Sequence, residues 1–330
     1  MSERQLPVFR SFAGYQRPWI SSDVVAGLTV WAVLVPEALA YASIAGVSPV
    51  VGLYAAPAAL LFYALLGSSR HLVTGPMSAS AALSAATVAT VATANGTDYA
   101  ALTAGLAIAV GVIALVAGLI RLGFLASFIS EPVLKGFIIG LALTIIIGQV
   151  PKLIGVDGGS GDFFEKLWDL LGNLGGAQGW TVAVGVGSLA VVMGIRRFAP
   201  KVPGSLVAVV LGIVAVKAFG LDGKGVDIVG PIQAGLPHLG LPSLGWSDYA
   251  SLSGGAIGIV LVGFAEGLGA AKTYAAKAHY SIDPNRELLG LGAANIGAGL
   301  SSGMVVNGSL SKTAVNGSAG AIRSARAANP

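Results

Sequence analysis

Charge is what this sequence has least of. Asp, Glu, Lys and Arg make up 10% of its 330 residues, against about 25% in an ordinary soluble domain, and that deficit excludes a water-facing globular fold. Cysteine is absent, which excludes a disulfide scaffold, thiol catalysis and thiolate metal sites. Histidine is scarce as well. His71, His238 and His279 fall in loops or at helix ends with no spacing that suits a metal, and all three are expected to be solvated and without a role. No serine shares an apolar run with a candidate base histidine, so an intramembrane hydrolase is excluded and no enzyme activity or cofactor is expected. The first 20 residues carry Arg4, Arg10 and Arg17 but no short apolar core followed by a small-residue cleavage site, so they do not read as a cleaved signal peptide.

What remains is apolar. Hydrophobic residues reach 55% and glycine contributes 48 residues, with a mean hydropathy of +0.80. The bilayer is therefore the expected solvent. A pI near 9.3 would suit nucleic acid, but the basic residues are spaced between apolar runs instead of gathered in one patch, and no nucleic-acid partner is expected. Runs of about 20 apolar residues predict crossings over 23–45, 48–66, 76–94, 99–120, 124–149, 178–195, 203–219, 252–271, 287–303 and a short last segment, 308–321. The stretch FFEKLWDLLGNL at 163–174 is amphipathic and too short to cross, so it is placed flat on the outer surface.

Lys and Arg accumulate in cytoplasmic loops, and this fixes an orientation. With the N-terminus inside, Arg70, Arg121, Arg196, Arg197, Lys201, Lys272, Lys277, Arg286, Arg323 and Arg326 all fall inside. The opposite loops hold Asp98, Asp157, Asp162, Glu165, Asp169, Asp222, Asp227 and Asp248, with Lys152, Lys166 and Lys224 dissenting. The helices containing Glu37 and Glu266 then run in opposite directions, yet each carries one carboxylate in an otherwise uncharged span (VLVPEALAYA and LVGFAEGLGAA), and each is followed by a Gly-Ser helix start, TGPMSASAA or NGSLSKTAV. Internal similarity with reversed membrane direction points to an inverted-repeat transporter whose site lies at the midplane; chance likeness of two Ala/Gly-rich helices is the alternative.

Glu37 follows Pro36, which removes a backbone donor and kinks its helix beside a buried carboxylate. A carboxylate at that depth is protonated, paired or bound to a cation, and protonation that follows substrate occupancy would be proton coupling. Glu266 reads the same way, with a structural ion pair to Lys272 as the other reading. In the two helix starts, Pro76 suits a first helical turn while Ser78 and Ser309 offer capping hydroxyls. If both helices begin at mid-membrane, their free N–H groups and positive dipole ends converge on an anion site, to which Lys312 adds a full charge. Close packing of small residues is the plainer role for these segments. The sequons at Asn95, Asn307 and Asn316 are not expected to be used at the latter two, membrane-embedded positions.

Taken together, DVVAGLTVWAVLVPEALAYASIAGVSPVVGLYAA (23–56), HLVTGPMSASAAL (71–83), SEPVLKGFIIG (130–140), DPNRELLGLGAANI (283–296) and GSLSKTAVNGSAGA (308–321) resemble the sulfate permease (SulP) family of anion transporters. The resemblance implies an all-α polytopic membrane protein with a seven-plus-seven inverted-repeat fold, in which a core domain moves against a gate domain. It places the anion between the N-termini of the third and tenth helices, here Pro76, Met77, Ser78, Ala79 and Ser80 on one side and Gly308, Ser309, Leu310 and Ser311 on the other. Lys312 stands where the family usually has Arg, which keeps the charge and loses the bidentate fork. Tyr41, one turn after Glu37, borders the pocket, and Glu37 and Glu266 are the coupling positions.

The implied organisation is a cytoplasmic segment at 1–20, a first repeat of seven helices at 21–219, an extracytoplasmic loop at 220–250, a partial second repeat of three helices at 251–321 and a polar tail at 322–330. The second repeat is expected to be incomplete, and the family's regulatory STAS domain absent, because polar residues stand where an eleventh helix would begin. The implied function is secondary transport of sulfate, bicarbonate or a dicarboxylate coupled to protons or sodium, by a homodimer in the bacterial inner membrane. Two alternatives stand beside it: a truncated, non-transporting relative, and a nucleobase carrier of related fold.

Overall fold

A computed structural model describes residues 16–127, 131–159, 163–199, 202–230 and 235–318. Arg4, Arg10, Asp162, Lys201, Arg323, Arg326 and the polar tail invoked above lie outside those residues. Backbone polar groups have no water to bond in hydrocarbon, so apolar runs there must close their own hydrogen bonds as helices. Eleven α-helices result among the described residues: α1 (Ile20–Ile44), α2 (Pro49–Leu66), α3 (Ser78–Asn95), α4 (Tyr99–Leu119), α5 (Glu131–Ile154), α6 (Phe163–Asn173), α7 (Gly179–Phe198), α8 (Gly204–Phe219), α9 (Trp246–Lys277), α10 (Pro284–Leu300) and α11 (Leu310–Ser318). Five of them, α1, α2, α4, α7 and α9, are long and apolar enough to cross a membrane.

Start and stop signals account for most boundaries. Asp98 caps α4 by accepting from Ala101 N (3.1 Å), and Asp283 caps α10 by accepting from Asn285 N (3.0 Å) ahead of Pro284, whose fixed φ suits a first turn. Gly96 ends α3 in the left-handed region, φ 64°, where a Cβ would be strained. α9 begins at Trp246, earlier than the apolar run alone predicts, because the Asp248 carboxylate reaches back to Gly245 N (3.0 Å) and caps a polar first turn. The amphipathic segment forms α6 as expected, with Phe164, Trp168 and Leu171 exposed along one face.

The chain packs as two compact units, Met1–Glu131 with Gln233–Pro330, and Pro132–Ile232. In the second, α7 packs against α8. In the first, α4 and α10 lie backbone to backbone. A Cβ added at Gly111 of α4 would stand 2.7 Å from Ile296 N and 2.8 Å from Gly292 O, and one added at Gly292 would stand 2.9 Å from Gly111 O. Small residues are what permit this approach where no hydrophobic force draws helices together in lipid. The same unit holds two short strands, β1 (Val73–Gly75) and β2 (Asn307–Ser309), paired antiparallel in the register Val73↔Ser309, Thr74↔Gly308, Gly75↔Asn307. Both are fully buried. Non-helical backbone survives at such depth because each strand supplies the other's hydrogen bonds.

Candidate functional site

β1 leads into α3 and β2 leads into α11. Because the strands are antiparallel, the two helices leave opposite ends of one buried ribbon. The first intrahelical bond of α3 runs from Ala81 N to Met77 O (2.9 Å), so the N–H groups of Ser78, Ala79 and Ser80 belong to the open first turn. Pro76 does not occupy that turn. It lies in the connector before an extended Met77 (φ −148°), since an X–Pro bond and the strand that precedes it both favour extended backbone. Nor does the Ser78 hydroxyl cap the helix, which has no side-chain cap; Ser80 Oγ instead donates to Met77 O (3.1 Å). At α11 the expected cap is present, Ser309 Oγ accepting from Lys312 N (3.3 Å).

Lys312 joins the two halves. Its side chain is 1% exposed, and Nζ lies 3.0 Å from Glu37 Oε2, donates to Pro76 O at 2.8 Å and stands 5.1 Å from the centre of the Tyr41 ring. Glu37, Tyr41, Pro76 and Lys312, drawn from three separate stretches of sequence, therefore meet at one point. Of the other expected residues, Ala79, Ser80, Gly308 and Ser309 are buried around the ribbon, while Leu310 is 54% exposed and Ser311 is also exposed, its hydroxyl 3.1 Å from Ser309 Oγ. The lysine is thus not a free charge, nor Glu37 a bare carboxylate. Each neutralises the other.

Glu266 lies apart from this pair. It lines a mostly apolar cavity with Ala79, Ser80, Asn295 and Asn307, and its buried Oε2 has no hydrogen-bond partner among the described residues. The ion pair with Lys272 does not form among the described residues, because Lys272 faces outward on a different side of α9.

Two polar groups around the ribbon, Glu287 and Asn295, escaped the sequence reading, and a third, His71, contradicts it. His71 is not solvated. It is 2% exposed, stacks on Tyr280 with ring centres 5.7 Å apart and places Nδ1 3.0 Å from the Tyr280 hydroxyl, while burial pushes that phenol's pKa up. Glu287 of α10 is fully buried and accepts from Tyr63 OH (2.7 Å), Ser68 N (2.9 Å), Ser68 Oγ (2.6 Å) and Ser69 N (2.9 Å). Asn295, two turns further on, accepts from Val306 N and donates to Val306 O, both at 3.0 Å. An acidic residue just after a Pro-opened turn, and an Asn among Ala and Gly, were the available signals. Asn307 is 4% exposed inside the ribbon, which leaves its sequon no room for a sugar.

Comparison with known proteins extends this geometry. The model of the sulfate permease family matches residues 20–324. A probable sulfate transporter of Mycobacterium tuberculosis is 42% identical over 304 residues, covering 92% of this chain and 54% of that protein, and the chloroplastic sulfate transporter 4.1 of Arabidopsis thaliana is 32% identical over 322 residues, covering 94% and 46%. The chain spans about half the length of the curated relatives it matches. Among solved structures, the transmembrane domain of a cyanobacterial bicarbonate transporter, BicA, superposes with TM-score 0.81 at 25% identity over 93% of this chain and 79% of that one. The murine anion transporter Slc26a9 in its inward-facing state gives 0.85 at 24% identity, over 96% and 56%. The fold is accordingly the inverted-repeat transporter fold with core and gate parts.

Proposed function

This chain belongs to the sulfate permease family, and from that premise we propose that it is a secondary transporter that moves sulfate, bicarbonate or a small dicarboxylate together with protons, with the anion held between the starts of α3 and α11. The observation that carries the reading is the ion pair between buried Lys312 and half-buried Glu37. In the absence of substrate, the Glu37 carboxylate acts as an internal anion on Lys312. A substrate anion approaching the N–H groups of Ser78, Ala79 and Ser80 competes with Glu37 for the same ammonium group. Protonation of Glu37 ends that competition and leaves the Lys312 charge, with the two positive helix ends, to offset the anion's dehydration. Anion and proton therefore load as one neutralised set.

Backbone N–H groups discriminate little among oxyanions, so the substrate is given as a class. Glu266, whose Oε2 has no hydrogen-bond partner among the described residues, is the second coupling position, taking a proton or a sodium ion. The first unit supplies the substrate-carrying core and the second the gate, in a homodimer in the cell membrane with its N-terminus in the cytoplasm; the repeats follow the boundaries given above.

The test is sulfate titration calorimetry on the purified chain and its Glu37→Gln variant, followed by uptake with and without an imposed proton gradient. Glu37→Gln should still bind sulfate, because the neutral amide keeps the side chain's shape and no longer competes for Lys312, and its uptake should no longer respond to the gradient. Unchanged gradient dependence in Glu37→Gln removes Glu37 from the coupling role, and no sulfate binding by the wild type favours a non-transporting protein.

A further inference from the structure

We propose that α10 fixes the positions of both helix starts, with Glu287 and Asn295 as positioning residues for the anion site; the inference rests on the anion-site reading above. Neither residue touches the Glu37–Lys312 pair. Each instead holds the backbone that leads into one strand, Asn295 directly and Glu287 through Ser69. Glu287 takes its four hydrogen bonds from the end of α2 and the connector at residues 68 and 69, and none from its own helix. Ser69 Oγ in turn accepts from Leu72 N (3.1 Å), the residue before β1. Asn295 clasps both the N–H and the C=O of Val306, the residue before β2.

The chemistry suits the task. A carboxylate is acceptor-only and satisfies four converging donors, while an amide offers the donor and acceptor that an extended residue needs. Glu287 has no cation partner among the described residues. A buried carboxylate without a counter-ion is costly, and an apolar residue would fill the space without that cost; what it would not do is hold the connector. The two clasps are linked through the register of β1 and β2 and through the bond from Lys312 Nζ to Pro76 O. Displacement of either strand therefore moves the first-turn N–H groups of α3 relative to Lys312, and oriented donors lose their value with small misplacements.

Hydrogen–deuterium exchange on the full chain in detergent, followed by sulfate titration, tests this. In Glu287→Gln a neutral amide weakens the charge-assisted bonds and turns a donor toward Tyr63; in Asn295→Leu the Val306 groups lose both partners. Exchange should rise about tenfold, the effect of a lost buried hydrogen bond, in peptides covering residues 73–75 and 307–309, with α4 and α9 unchanged and sulfate affinity reduced several-fold. Tyr63→Phe and Ser68→Ala, which each remove one donor, give the same test with milder variants should the first two not fold. Unchanged exchange at both strands, or exchange raised equally across all helices, overturns the positioning role. Sulfate affinity reduced in variants whose exchange rises only at the two strands supports it. If the wild type binds no anion at all, the anion reading fails on its own, and the exchange result still decides whether α10 holds the strands.

Discussion

Lys312 is the residue on which the site turns, and its burial dictates what its partners must do. An ammonium group 1% exposed needs a counter-charge, and removing one partner of a buried pair costs about 3–5 kcal/mol. Glu37→Gln should therefore lower the melting temperature in anion-free buffer, and saturating sulfate should restore it, because substrate then supplies the missing negative charge. A melting temperature that sulfate does not raise in this variant would show that the anion does not reach Lys312. Lys312→Ala should weaken sulfate binding at least about tenfold, the loss of one charge-assisted interaction, whereas Lys312→Arg should bind nearly as wild type, since the contacts to Glu37 Oε2 and Pro76 O need charge and a donor more than a planar fork. Glu37 and Lys312 were each visible in the sequence as charged residues in apolar runs, and Tyr41 came from the family resemblance alone. Their meeting was not, because it depends on which helices pack together. The same limit hid Glu287, whose partner Ser68 lies 219 residues away, and led His71 to be read as solvated.

Helices were more legible than contacts. Apart from residues 308 and 309, which joined the ribbon, the apolar runs became helical among the described residues, since a helix satisfies its own backbone where lipid offers no partner, and the spacing of Phe164, Trp168 and Leu171 was enough to set α6 apart. The ribbon was not legible: VTG and NGS are three-residue strands with no periodicity to detect, and their pairing moved Pro76 out of the helix it was expected to open. Glycine marked positions without saying which mattered. Gly111→Val should destabilise the protein by about 1–3 kcal/mol, the usual cost of overpacking, since its Cβ would press on the backbone of Ile296 and Gly292. Gly212→Ala, where nothing among the described residues lies within 4 Å of the added Cβ, should be neutral or slightly stabilising. Thermal unfolding in detergent measures both, and equal effects would mean that α4 and α10 do not pack through their glycines.

At the scale of the molecule, a transport cycle needs a defined membrane orientation. The absence of cysteine gives a clean background for single-cysteine labelling, and a cysteine at position 165, on exposed Glu165 of α6, should react with an impermeant maleimide added outside cells; reaction from the cytoplasmic side alone would invert the topology. The central claim is that anion and proton move together through the Glu37–Lys312 pair, and radiolabelled sulfate uptake into proteoliposomes containing this chain alone, with and without an inward proton gradient, measures it most directly. The gradient should accelerate uptake in the wild type and no longer accelerate it in Glu37→Gln. Uptake no greater than in protein-free vesicles, or the same gradient dependence in both proteins, would contradict it.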